Sequence, residues 1–171
     1  MSVVTMTRSV ILEPEYLSKD IMNERLMEKL LETTRDECSE KNGYIVEVIQ
    51  INGVLDNWIL PATSNIECKV QFTARTIKPV RDTVFQGPVG VIFQGGILVR
   101  IEDRLEILIP VRQLDGYKFE DENKQKRFIN QAEGHAIYMG DTVSVRVIAS
   151  KYQNRQFICF GSLDDHLSRN N

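Results

Sequence analysis

From Val84 onward the chain breaks into short runs of branched residues separated by glycines and turn residues, and no helical period survives there. That pattern constrains the fold more than any other feature. Residues 84–93 are interrupted by Gly87, Pro88 and Gly90, which bulge or bend a strand and let it curl. Gln94, Gly95 and Gly96 turn the chain into residues 97–101, and residues 102–104 turn it into 105–109. Gly140 and Asp141 introduce residues 142–149, where Val143, Val145 and Val147 alternate with Ser144 and Arg146. The closing run is 156–160. Residues 118–127 read as a charged stretch lying between these runs. Five short, bent strands in about 80 residues predict a small closed barrel of the OB type.

The first half reads as strand, helix, strand, strand. Residues 4–12 are rich in Val, Ile and Thr and end at Pro14, which cannot donate to a ladder. Ser18 or Asp20 is positioned to cap a helix whose Met22, Leu26 and Leu30 recur at four-residue steps, with Met27 and Leu31 beside them. Residues 44–51 form a second strand after the turn pair Asn42 and Gly43. In the third, Ile66, Cys68, Val70, Phe72 and Ala74 alternate with Glu67, Lys69, Gln71, Thr73 and Arg75, the period of a strand with one wet face. Residues 52–65 read as a connecting loop carrying Leu55, Trp58, Leu60 and Pro61. Its tryptophan suits either docking to a partner or capping the small sheet.

Composition excludes several functions. Residues 1–82 hold ten basic and thirteen acidic side chains, and residues 83–171 hold eleven of each, so neither half is a polycation. Residues 1–12 have neither the unbroken apolar core nor the cleavage site of a signal peptide, and no stretch approaches the roughly 20 apolar residues of a membrane span. A soluble intracellular chain without membrane contact is expected. Cys38, Cys68 and Cys159 are far apart and only His135 and His166 accompany them, so neither a zinc site nor any other metal or cofactor is expected. No nucleophile motif adjoins a histidine, and Asp164 and Asp165 sit near the chain end rather than in a predicted cleft. The chain is read as non-catalytic.

Binding remains. OB barrels hold single strands with a basic groove and aromatic faces on which bases stack. Phe93, Tyr152 and Phe157 are the candidate stackers, with barrel core as the competing role for Phe93 and Phe157. Arg100, Arg104, Arg146, Lys151 and Arg155 are the candidate phosphate partners. A neutral barrel neutralises few phosphates and should bind RNA weakly with little sequence preference.

The order of these pieces resembles one family across nearly the whole chain: the stalk subunit of DNA-directed RNA polymerase, which comprises subunit seven of eukaryotic polymerase II and its archaeal counterpart. Leu12, Glu13, Pro14 and Tyr16 resemble its first strand and proline-led loop. Gly43, Tyr44, Ile45 and Val46 resemble its glycine-aromatic second strand. Phe72, Ala74, Lys78, Pro79 and Gly87 fall at its domain crossing, and residues 96–99, 140–143 and Val145 match glycine-led barrel strands. The ending Gly161, Ser162, Leu163, Asp164, Asp165, His166, Leu167 looks like the eukaryotic branch. The loop after Pro14 and residues 52–65 depart from the usual cellular pattern, which suits a divergent eukaryotic member or a polymerase subunit of a large DNA virus.

The resemblance implies an α+β chain: an RNP-like tip domain over residues 1–82, with an antiparallel sheet and one main helix, then an all-β OB-fold RNA-binding barrel over residues 83–171. It implies docking on polymerase core subunits through Tyr16, Leu17, Leu55, Trp58 and Pro61. A smaller, subunit-four-like stalk partner and single-stranded nascent RNA complete the expected partners. The expected location is the nucleus, or the virion or cytoplasmic factory of a large DNA virus. The rival expectation is a freestanding OB-fold RNA-binding or translation factor.

Overall fold

The alternating stretch that begins at Ile66 is a strand with neighbours on both sides, and it organises the N-terminal half. In a computed structural model, which describes residues 1–168, the chain divides into two units, Met1–Lys78 and Pro79–Asn171. The first holds β1 (Ser2–Leu12), α1 (Lys19–Thr34), the two-residue β2 (Cys38–Ser39), β3 (Gly43–Ile59) and β4 (Ile66–Ile77). Its sheet is antiparallel in the order β1-β4-β3-β2. Cys68, Val70, Phe72 and Ala74 of β4 are buried with Met6, Val10 and Leu12 of β1, Ile45 of β3, and Leu26 and Leu30 of α1. Ser18 is the helix N-cap through its backbone alone: its carbonyl accepts the Met22 N–H at 3.0 Å, and its side chain makes no capping bond. The buried stripe of α1 is narrower than the sequence suggested, for Leu31 is 48% exposed.

Residues 52–65 are not a loop. β3 continues through Leu55 and Trp58 to Ile59, and only a short turn precedes β4, closed by Leu60 N–H to the Asn65 carbonyl at 2.7 Å. The physical reason is the ladder itself. Its register shifts between Ile45 and Glu47, Val48 and Gln50, Ile51 and Gly53, and Val54 and Asp56, an irregularity at every third residue. Each bulge moves the following side chain to the other face and increases the local twist, so no period of two remains in the sequence.

The second unit contains β5 (Val84–Phe93), β6 (Gly96–Ile101), β7 (Leu105–Pro110), β8 (Lys118–Glu122), β9 (Gln125–Asn130), β10 (His135–Ile137), β11 (Thr142–Gln153) and β12 (Gln156–Ser168). Five of these close a barrel in the order β11-β12-β7-β6-β5, with β11 returning to β5. All its pairs are antiparallel except β12 with β7. This arrangement is compatible with an OB-like barrel. Ile97, Val99, Ile107, Ile109, Val145 and Val147 fill the interior. The curl of β5 falls where glycine predicted it, with a register shift between Val89 and Val91.

The charged stretch 118–127 is structured too. It forms β8 and the start of β9, which with β10 make a three-stranded antiparallel sheet. Asn123 and Lys124 make the turn at φ 55° and 63°, the conformation of a tight hairpin. Cross-strand pairs hold the charges, Arg127 to Glu120 at 2.8 Å among them, while fully buried Phe128 meets Phe119 at 5.5 Å between ring centroids. Among the described residues no helix is long and apolar enough to cross a membrane.

Candidate nucleic-acid interface

Alternation along the barrel strands sends one residue of each pair inward and the next outward. On β6 and β7 the inward residues are Ile97, Val99, Ile101, Leu105, Ile107 and Ile109, which leaves Leu98, Arg100, Glu106 and Leu108 outside. Strand register then assembles a row. Phe160 of β12 lies level with Leu108, Leu108 with Leu98, and Leu98 with Val91 of β5. The row is apolar from end to end, and at its margin Phe160 is 38% exposed. A neighbouring row, nearer the β6–β7 turn, is mixed. There Lys151 pairs with Ile158, and Glu106 pairs with Arg100, whose Nε stands 3.3 Å from the carboxylate.

The predicted RNA-binding residues separate on this frame. Because β12 runs parallel to β7, its first residues lie at the same barrel end as the β6–β7 turn. Register therefore brings Arg100, Arg104, Lys151, Tyr152 and Arg155 toward one end. Lys151 and Arg155 are exposed, Arg155 in a turn at φ 61°. Tyr152 is half-buried against Phe157, 5.2 Å between centroids, and Phe157 itself is buried. Arg104 is half-buried within its turn. Phe93 lies at the other end beside Gly95, 39% exposed and so outside the core. Arg146 does not join the group: it sits on β11, where its guanidinium reaches Asp164 at 3.2 Å and the Asp82 carbonyl at 3.3 Å. Outward Leu98, Leu108, Ile158 and Phe160 are not separable from core residues in the sequence, because a strand largely apolar on both faces looks like one buried on both.

The docking candidates of the first unit converge. Leu12 pairs with Ile66, and Ile66 with Ile59. The turn after Leu12 and the β3–β4 turn are thereby placed at one end of the sheet. Leu17, Trp58, Ile59 and Pro61 are exposed there, Trp58 by 41% and Ile59 by 68%, whereas Leu55, also exposed, lies further back along β3 between the residues opposite Val70 and Lys69. Trp58 is a strand residue opposite Glu67. Tyr16 differs from its neighbours. It is half-buried, with the Arg25 guanidinium 4.8 Å from its ring centre.

Asp164 and Asp165, read as lying outside any cleft, are on β12 and line a cavity of about 310 Å³ with Asp115, Tyr117, Asn130, Glu133, His135 and His166. His166 Nε2 lies 2.9 Å from the buried Asp141 carboxylate. Burial, then the charges of Glu133 and Asp165, push the Tyr117 phenol above its usual pKa. Such an anionic wall repels phosphate, which leaves the outer barrel rows as the candidate RNA face. Among the described residues no cluster of three or more His, Cys, Asp or Glu is placed to hold a metal.

All three cysteines are buried, and desolvation raises their thiols, Cys38 to about 11 and Cys159 to about 12. The folded chain should therefore release no chromophore from an aromatic disulfide reagent at neutral pH within minutes, whereas the chain in denaturant should titrate three thiols. Rapid native labelling would show that a strand carrying one of them opens readily. No family model matches the chain.

Proposed function

We propose that the protein is a non-catalytic stalk subunit of a multisubunit DNA-directed RNA polymerase. In this reading the first unit is an RNP-like tip domain that docks on the polymerase core and on a smaller subunit-four-like partner. The second is an OB-fold barrel that guides exiting single-stranded RNA, in the nucleus or in the factory of a large DNA virus. The observation that carries the reading is the gathering of exposed Leu17, Trp58, Ile59 and Pro61 at one end of the first sheet. Trp58 is held on an ordered hairpin, and tryptophan is among the residue types enriched at binding hot spots. The barrel supports the RNA role through an exposed face whose cations, Lys151 and Arg155, are few. Such a face binds weakly by itself, but a docked subunit holds it beside the emerging transcript at high effective concentration.

Affinity purification of the tagged chain from the cells in which it is expressed, followed by mass spectrometry, tests the reading. The large polymerase subunits should copurify. A Trp58→Ser, Ile59→Ser double variant should lower their recovery by roughly tenfold or more, with little change in thermal stability because both side chains are exposed. Recovery of ribosomal or translation-factor partners without polymerase would replace the stalk reading with that of a freestanding RNA-binding factor.

A further inference from the structure

Beside the apolar row the outer barrel face is hollowed into a cavity of about 210 Å³. Leu98, Leu108, Ile158 and Phe157 wall it, Cys159 and Gln156 complete it, and a single ionised group, the Glu106 carboxylate, opens onto it. Arg100 holds that carboxylate from one side at 3.3 Å. On the other side Lys151 pairs with Ile158, and Arg155 lies in the turn just before Gln156. Neighbouring strands stand roughly 4.8 Å apart, so the row from Lys151 to Arg100 covers on the order of 14 Å. Within that span the surface offers cations, an apolar wall and one oriented acceptor.

Aliphatic walls receive the flat face of an unstacked base, and single-stranded RNA is read along the base edges that unstacking exposes. A carboxylate only accepts hydrogen bonds. It therefore favours the base edge richest in donors and opposes edges that present acceptors. Guanine places two donors side by side, N1–H and the N2 amino group, matching the two carboxylate oxygens. Uracil has one N–H between two carbonyls, and adenine and cytosine each set an amino group beside an unprotonated ring nitrogen. We infer that this cavity is a guanine-preferring base site with Glu106 as its specificity determinant, Lys151 and Arg155 meeting the adjoining phosphates. The inference rests on the RNA-guiding reading above and departs from the low sequence preference expected of a neutral barrel.

Fluorescence anisotropy with two labelled RNAs at low salt separates the two ideas: an oligouridine nonamer, and the same nonamer with its central uridine replaced by guanosine. The guanosine RNA should bind on the order of tenfold more tightly, and a central cytidine or adenosine should give little of that gain. Glu106→Gln should bring the guanosine and uridine affinities within about twofold, because an amide presents a donor as well as an acceptor. Equal wild-type affinities, or a preference that survives Glu106→Gln, would overturn the guanine site and leave RNA guiding intact. Failure to bind either RNA at protein concentrations up to the roughly millimolar effective concentration of a docked subunit would overturn both.

Discussion

Replacing Phe72 with alanine is expected to cost the first unit about 3 to 5 kcal/mol, the range for deleting a fully buried aromatic ring. Phe72 is at the centre of β4, opposite Met6 of β1 and Ile51 of β3, and has no exposed surface. It belongs to the buried cluster that joins the sheet to α1 through Leu26 and Leu30. A unit of this size buries a modest share of its surface, and whole domains are stable by only about 5 to 15 kcal/mol. The loss should therefore bring the unit close to unfolding at 37 °C. Urea denaturation gives the magnitude, and amide hydrogen exchange should show lost protection centred on residues 1–78. Phe72→Leu, which keeps most of the apolar volume, should cost clearly less. A loss below about 1 kcal/mol for Phe72→Ala would mean that the helix and sheet do not depend on a shared core.

The contrast between β4 and β3 explains how much of this fold is legible in the chain. β4 keeps strict alternation over Cys68, Val70, Phe72 and Ala74, and the structure buries those four residues. Its partner β3 is longer, yet a bulge at every third residue erases the period, so Leu55 and Trp58 read as loop residues. The same logic separates the barrel from the sheet inserted in it. Barrel strands are bounded by glycines and turn residues and are visible. β8 and β9 carry Glu120, Asp121, Lys126 and Arg127, which look solvated until cross-strand pairing brings opposite charges together. Charge type is readable from sequence, whereas charge partnership depends on register.

Register also decides which candidates form a site. Arg146 and Lys151 are alike in sequence, both basic residues on one strand. Arg146 is neutralised by Asp164 on the adjacent strand, while Lys151 is exposed beside Ile158 and the base-sized cavity. Glu106 carries the opposite lesson. An acidic residue argues against RNA in any charge count, yet a carboxylate held by Arg100 at an apolar wall supplies selectivity that a cation cannot, because it rejects acceptors. The balanced charge of the barrel is thus compatible with recognition by base edges rather than by phosphate neutralisation.

Gly96→Ala should be the most damaging single-methyl substitution in the barrel. Gly96 opens β6 with φ 148°, paired with Pro110 at the end of β7. A Cβ built there would overlap the Ile109 carbonyl oxygen and stand 2.9 Å from Pro110 Cα. Both neighbours are backbone, so no side chain can rotate out of the way and relief requires β6 to part from β7. Strain in φ and overpacking each cost about 1 to 3 kcal/mol, and here they coincide, giving an expected loss of about 3 kcal/mol or more. Gly53→Ala on β3, in the other unit, is the contrasting case: nothing lies within 4 Å of its Cβ position and its φ is outside the left-handed range, so it should be neutral or slightly stabilising. The barrel's denaturant midpoint in Gly96→Ala, set against that of the wild type, measures the combined cost of the strained φ and the close approach of β6 and β7. Separation of these strands would also displace Leu98 and Leu108, so Gly96→Ala should abolish any guanosine preference of the RNA face before the barrel unfolds. A barrel midpoint unchanged from the wild type would show that β6 and β7 part at little cost, and with that the rigid outer row on which base selection depends would be lost.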